Sequence, residues 1–155
     1  MDTNLITKIE NILNGNKIIL TKLLSSAFNI NCLKIITEDN EKFVVKYYEK
    51  KNNDFNAIHA ETNNLLFFNN KKLNLFPKVI AHDENFLIIK YFDNNKKKLN
   101  KTDNQFINIL TQLHSIYSEK FGFYFDTQIG GMRQSNDFDQ NWAVFFCRKK
   151  TECHF

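Results

Sequence analysis

At 155 residues the chain is long enough for one domain, or for a domain and part of another. With 43% hydrophobic and 14% aromatic residues it can bury a sizeable core, which excludes a disordered chain. The formal charge of +4 comes almost wholly from lysine, Arg133 and Arg148 being the arginines, and in a chain this rich in Asn, Ile, Phe and Lys it reads as compositional bias rather than a nucleic-acid footprint.

The first ten residues, MDTNLITKIE, are polar and lack the basic and apolar regions of a signal peptide. No apolar run approaches membrane-spanning length. Cys32, Cys147 and Cys153 are odd in number and unhelpfully spaced for disulfides. Cys147, Cys153 and His154 lack a fourth ligand at metal-binding spacing. The expectation is a soluble, reduced, cytoplasmic protein with no membrane or nucleic-acid partner and no metal ligands of its own.

In chain order, Leu5, Ile6, Ile9, Ile12 and Leu13 recur at helical spacing and are stopped by Asn14-Gly15-Asn16. Residues 17–25 read as a strand, with Ser25-Ser26-Ala27 as a small-residue turn where backbone N–H groups could approach a phosphate. Residues 31–37 form a second strand, and Glu38-Asp39-Asn40 turn the chain into a third over Phe43, Val44 and Val45, closed by Lys46. Asp54 is placed to cap the next helix, whose apolar stripe is Phe55, Ile58, Thr62, Leu65 and Leu66, with Glu61 beside it. A strand lysine meeting a helix glutamate is an arrangement that holds nucleotide phosphates.

Val79-Ile80-Ala81, a turn at Asp83-Glu84-Asn85 and the apolar run 86–92 complete five strands. The charged segment 93–101 reads as a hinge between two lobes. Thr102 and Gln105 have capping-box spacing for a helix over about 102–118, with Phe106, Ile109, Leu110, Leu113 and Tyr117 on its buried face. Residues 121–136 show no clean period but hold Gly122 and Gly130-Gly131. Asp137 or Asp139 can cap a last helix with Trp142, Phe145 and Phe146 as its core stripe. The fold class is α+β, a five-stranded antiparallel sheet plus one helix, followed by further helices.

The order Leu113-His114, Phe121-Gly122, Ile129-Gly130, Gln134-Ser135-Asn136 and Trp142 with Phe145-Phe146 resembles the fructosamine (ketosamine-3-) kinase family. Upstream, Lys46, Ala60-Glu61, Pro77 and the strand at 86–92 follow the same order. The family has a protein-kinase-like fold related to aminoglycoside phosphotransferases, and it transfers the ATP γ-phosphate to the 3-hydroxyl of a sugar-derived ketoamine. The resemblance implies a small nucleotide-binding lobe at 1–92, a hinge at 93–101 and the first helices of a large lobe at 102–155. It implies that Lys46 contacts the α/β-phosphates of Mg-ATP and is held by Glu61. Ser25, Ser26 and Ala27 would then cover the nucleotide, and Lys90, Tyr91 and Phe92 would lie beside adenine.

Three departures accompany the resemblance. The covering loop has no glycine, Lys90 stands where an acidic residue is more usual, and the 155 residues contain no His-Gly-Asp catalytic loop or later metal-binding Asp segment. The expectation is a C-terminally truncated or frameshifted chain, inactive alone. The alternative is a degenerate kinase-like remnant acting as a non-catalytic binding module that self-associates through exposed aromatics.

Overall fold

The computed structural model describes residues 1–50, 55–73, 75–94 and 104–150. It opens with helix α1, Thr3–Ile12, whose first turn is closed by the Asp2 side chain accepting the Leu5 N–H at 2.7 Å. The helix ends because Asn14 and Gly15 take left-handed φ values of 58° and 81°. Strands β1 (Ile18–Ala27), β2 (Ile30–Thr37) and β3 (Lys42–Tyr48) follow, then helix α2 (Ala57–Asn70) and strands β4 (Val79–His82) and β5 (Phe86–Lys90). The strands form one antiparallel sheet in the order β1-β2-β3-β5-β4. The expected five-stranded α+β unit is the one observed.

The sheet has helices on both faces, and strand alternation sorts the apolar residues between them. Ile9 of α1 packs with Leu33, Ile35, Phe43, Val45, Phe86 and Ile88. On the other face Ile58 and Leu65 of α2 pack with Leu87 and Ile89. This explains the unbroken run in β5, since a strand covered on both sides has no polar face to alternate with. The buried Thr62 is satisfied within its own helix, its hydroxyl donating to the Ile58 carbonyl at 2.8 Å.

Glu10 ties α1 to the sheet: its carboxylate accepts from Lys17 at 2.8 Å and from the Ile18 N–H at 3.0 Å. The Lys17 hydrogen bond, then the Ile18 N–H, hold this carboxyl below the usual carboxylate range. A depressed folded-state pKa stabilises the fold above the unfolded-state value, about 4.3, and that contribution is lost as pH falls through the folded-state value. Urea midpoints of the chain and of Glu10→Gln should therefore differ at pH 7 and converge toward pH 3. A gap that stays constant with pH would show that Glu10 carries no such linkage.

Several expected boundaries move. Lys46 does not close its strand: β3 runs on to Tyr48, because Tyr47 packs against the α1-side core and the Tyr48 hydroxyl accepts the Ala57 N–H at 2.9 Å. β1 includes Ser25, Ser26 and Ala27, and the turn is the next pair, Phe28 and Asn29, at φ 51° and 62°. β5 stops at Lys90, leaving Tyr91 and Phe92 outside the strand. Asp54 lies outside the described residues, and Asn56 caps α2 by accepting the His59 N–H at 2.8 Å. Phe55 precedes the helix, and its buried face is Ala57, Ile58, Ala60, Thr62 and Leu65.

Beyond the segment 93–101 expected to be a hinge, of which 95–101 lie outside the described residues, helix α3 spans Asn104–His114. Thr102 is likewise outside them. None of the α3 residues is buried, and Tyr117, beyond the helix, is 86% exposed. Of the expected buried face, Ile109 and Leu113 are half-buried, while Phe106 and Leu110 remain exposed. Residues 121–136 are not irregular throughout: β6 (Thr127–Ile129) and β7 (Met132–Gln134) make a hairpin about Gly130 and Gly131, both at positive φ. Asn136 holds its base, donating to the Phe125 carbonyl and to Thr127 Oγ1. Helix α4, Trp142–Lys150, is capped by Asn141, which accepts from Ala143 and Val144, rather than by Asp137 or Asp139. Only Phe145 of its three aromatics is buried, while Trp142 remains 53% exposed. No helix among the described residues is long and apolar enough to cross a membrane.

Candidate functional site

Strand register places the candidate residues before any side chain is considered. Ser25 of β1 stands opposite Cys32 of β2, and Cys32 opposite Lys46 of β3. Directly paired residues share a face, so the three form a row across the α2 side of the sheet. Two residues along, Lys22, Lys34 and Val44 form a second row on the same face.

Glu61 reaches this face from α2. The helix is fixed at its start by two contacts, the Tyr48 hydroxyl on the Ala57 N–H and Asn56 Nδ2 donating to the Glu84 carbonyl at 2.7 Å. Glu61 then lies one helical turn beyond Ala57. Its two carboxylate oxygens accept from Lys46 Nζ at 2.5 and 2.8 Å. Both side chains keep about a quarter of their surface, 25% for Lys46 and 24% for Glu61. The ammonium is therefore positioned yet reachable, and two of its three protons can be shared with a carboxylate while a third meets an incoming anion.

Cys32 is the neighbour that sequence reasoning missed. Burial pushes its thiol pKa up, against the opposing pull of Lys46 and a hydrogen bond with Ser25. It is a neutral floor to the row at ordinary pH. Its place could have been found only by pairing the strands, since nothing in its local sequence marks it.

The other candidates divide. Ser25 is in the Lys46 row, while Ser26 alternates to the opposite face and Ala27 pairs with Ile30 at the end of the strand. The hairpin tip beyond them is not free: a side chain on Gly131 would put its Cβ 2.8 Å from Phe28 Cγ, so the tip of the β1–β2 hairpin rests on the tip of the β6–β7 hairpin. Lys90 turns away from the Lys46 face, pairing with Glu41 at 2.8 Å and lying over the Phe43 ring. Tyr91 faces the site: its N–H donates to the Lys42 carbonyl at 3.2 Å, and Lys34 Nζ lies 4.0 Å from its ring centroid. Phe92 is exposed and lines a separate cavity of about 680 Å³ with Leu73, Phe76, Ile109 and Leu113.

Among the described residues no three His, Cys, Asp or Glu side chains come together as metal ligands. Cys153 and His154 lie outside the described residues, and Cys147 is exposed.

With this geometry in view, comparison with known proteins gives a consistent match. The family model described as fructosamine kinase matches residues 3–154. A candidate fructosamine-3-kinase from Thermobifida fusca YX-ER1, known from its crystal structure, superimposes with a TM-score of 0.79 at 16% identity, over 96% of this chain and 51% of its own. One from Haemophilus somnus 129PT gives 0.73 at 23% identity, over 92% of this chain and 52% of its own. The streptomycin-ATP-APH(2")-IIa ternary complex gives 0.56 at 22% identity, over 76% of this chain and 41% of that one. No curated protein sequence matches. The fold is thus kinase-like, and the chain spans about half the length of the solved structures it matches.

Proposed function

The chain belongs to the fructosamine kinase family, and from that membership we propose that residues 1–92 form a nucleotide-binding lobe for ATP. In this reading 93–101 is the hinge and 102–155 begins a helical lobe. The observation that carries it is the two-oxygen hold of Glu61 on Lys46 at the centre of an accessible sheet face. A lysine so held presents a fixed positive charge, which is what positioning of phosphoryl groups requires. ATP fits these residues: Lys46 would meet the α/β-phosphates, Ser25 offers a hydroxyl in the same row, and the chain at 90–92 would lie at the base end. Ser26, Ala27, Lys90 and Phe92 would contribute backbone rather than side chains. Magnesium is implied by the family alone, and no three candidate ligands come together among the described residues.

The reaction class follows the family: the γ-phosphoryl leaves ADP and bonds to the 3-hydroxyl oxygen of a sugar-derived ketoamine, free or on a protein. The 155 residues contain no His-Gly-Asp run, so no residue here takes the hydroxyl proton, and the polypeptide alone binds nucleotide without transferring phosphate. A cytoplasmic setting belongs to the same proposal. Incubating the 155-residue chain with Mg-ATP and a fructosyl-amine should yield no phosphorylated product. Product above the protein-free control would overturn the assignment of inactivity.

A second reading, a non-catalytic module that pairs with another copy, is favoured by the exposed aromatics of one region: Tyr117, Phe121, Tyr124, Phe138, Trp142 and Phe146. Concentration-dependent dimers on size-exclusion chromatography would support it, and a monomer at all concentrations would remove it.

A further inference from the structure

The base end of this sheet face is already occupied. Between Lys46 and Tyr91 the sheet face is floored by Val44 and Lys34, which stand opposite each other in the β2–β3 register. Tyr91 lies beside Lys42, four residues from Lys46 along β3, or about 13 Å at ordinary strand rise. A nucleotide whose phosphates meet Lys46 and whose base reaches Tyr91 must cross Lys34. The Lys34 ammonium instead sits 4.0 Å from the centre of the Tyr91 ring, on the π-face a base would stack against.

Charge adds a second, independent feature. Lys22 is paired directly with Lys34 on the same face, an arrangement that costs stability when nothing intervenes. Neither lysine makes an ion pair among the described residues. With Lys42 and Lys46, which alternate onto the same face of β3, they give one sheet face four cations, of which Lys46 is paired with Glu61 and Lys42 with Asp93. Such a face attracts a polyphosphate along its length.

We propose that the Lys34–Tyr91 pair covers the base end of this sheet face, so that the site grips the polyphosphate of a nucleoside triphosphate and discriminates weakly among bases. Lys34 is then a specificity-determining residue. It adds charge for the phosphates and competes with the base for the Tyr91 ring. The inference rests on the reading of Lys46 as the phosphate anchor.

Calorimetric titration with ATP, GTP and inorganic tripolyphosphate tests it, on the chain as it stands and on Lys34→Met, Tyr91→Leu and Lys46→Ala. Methionine keeps the stem that packs on the sheet while removing the charge, and unchanged far-UV circular dichroism checks each fold. The chain should bind the three ligands within a few-fold of one another. Lys34→Met should raise the ratio of ATP to tripolyphosphate affinity by roughly fivefold, the size of one exposed cation–π contact. Tyr91→Leu should leave that ratio flat with or without Lys34. An unchanged ratio in Lys34→Met, with binding still lost in Lys46→Ala, overturns this inference alone. Binding that survives Lys46→Ala, or no binding by the parent chain, overturns the phosphate-anchor reading and this inference with it.

Discussion

Phe86→Ala should lower the stability of the chain by about 3–5 kcal/mol, the range for truncating a large buried aromatic. Phe86 is 2% exposed and packs with Ile9 of α1 and with Leu33, Ile35, Phe43, Val45 and Ile88 of the sheet. Its loss leaves a void in the layer that joins α1 to three strands. The cost combines the lost transfer of the ring from water with a cavity that only partly collapses. Lys8 also lies over the ring, 4.9 Å from its centre, and reaches on to Asp83. Against a total stability of roughly 5–15 kcal/mol, the change moves a marginal fold close to unfolding. Urea denaturation checks it, and a loss under about 1 kcal/mol would show that α1 is not part of the same cooperative unit.

Lys46→Ala should reduce ATP affinity by about 10- to 100-fold, the value of one charge-assisted hydrogen bond to phosphate, which takes a weak site below calorimetric detection. Glu61→Ala should cost less, since the ammonium remains and only its positioning is lost. The order of the two effects matters more than their size. If Glu61→Ala weakened ATP binding more than Lys46→Ala, the lysine would be a structural partner of the glutamate rather than the anchor. Neither substitution should unfold the chain, because both side chains are partly exposed and the pair is a half-solvated ion pair of modest stabilising value.

The pair at Lys46 and Glu61 was legible because two local patterns meet there. The apolar strand run Phe43 to Val45 is followed by a lysine, and an amphipathic helix carries one glutamate beside its stripe. Neither pattern holds the register. That Cys32 and Ser25 share the lysine's row, and that Lys34 lies over Tyr91, follow only from which strand pairs with which and where bulges fall in β1. Phe28 on Gly131 joins residues a hundred positions apart, and no local feature announces it. The β6–β7 hairpin is different in kind. Gly130-Gly131 between Gln128-Ile129 and Met132-Arg133 is a two-residue turn signal, and three-residue strands were too short to show alternation. For α3 the amphipathic period predicts a face, yet a period says nothing about what covers it, and Phe106, Ile107 and Leu110 stay exposed. Helix caps moved for a simpler reason. Asp and Asn are both good caps, and with aspartates close by in the sequence nothing local singles out Asn56 and Asn141.

Side-chain NMR of the lysine ammonium groups during an ATP titration tests the phosphate-anchor account most directly. Lysine Nζ signals are followed and Lys46 is assigned by its absence in Lys46→Ala. The account predicts that the Lys46 signal shifts and saturates with the same midpoint as calorimetric binding. A Lys46 signal that stays fixed while ATP binds, with other lysines moving instead, would contradict it.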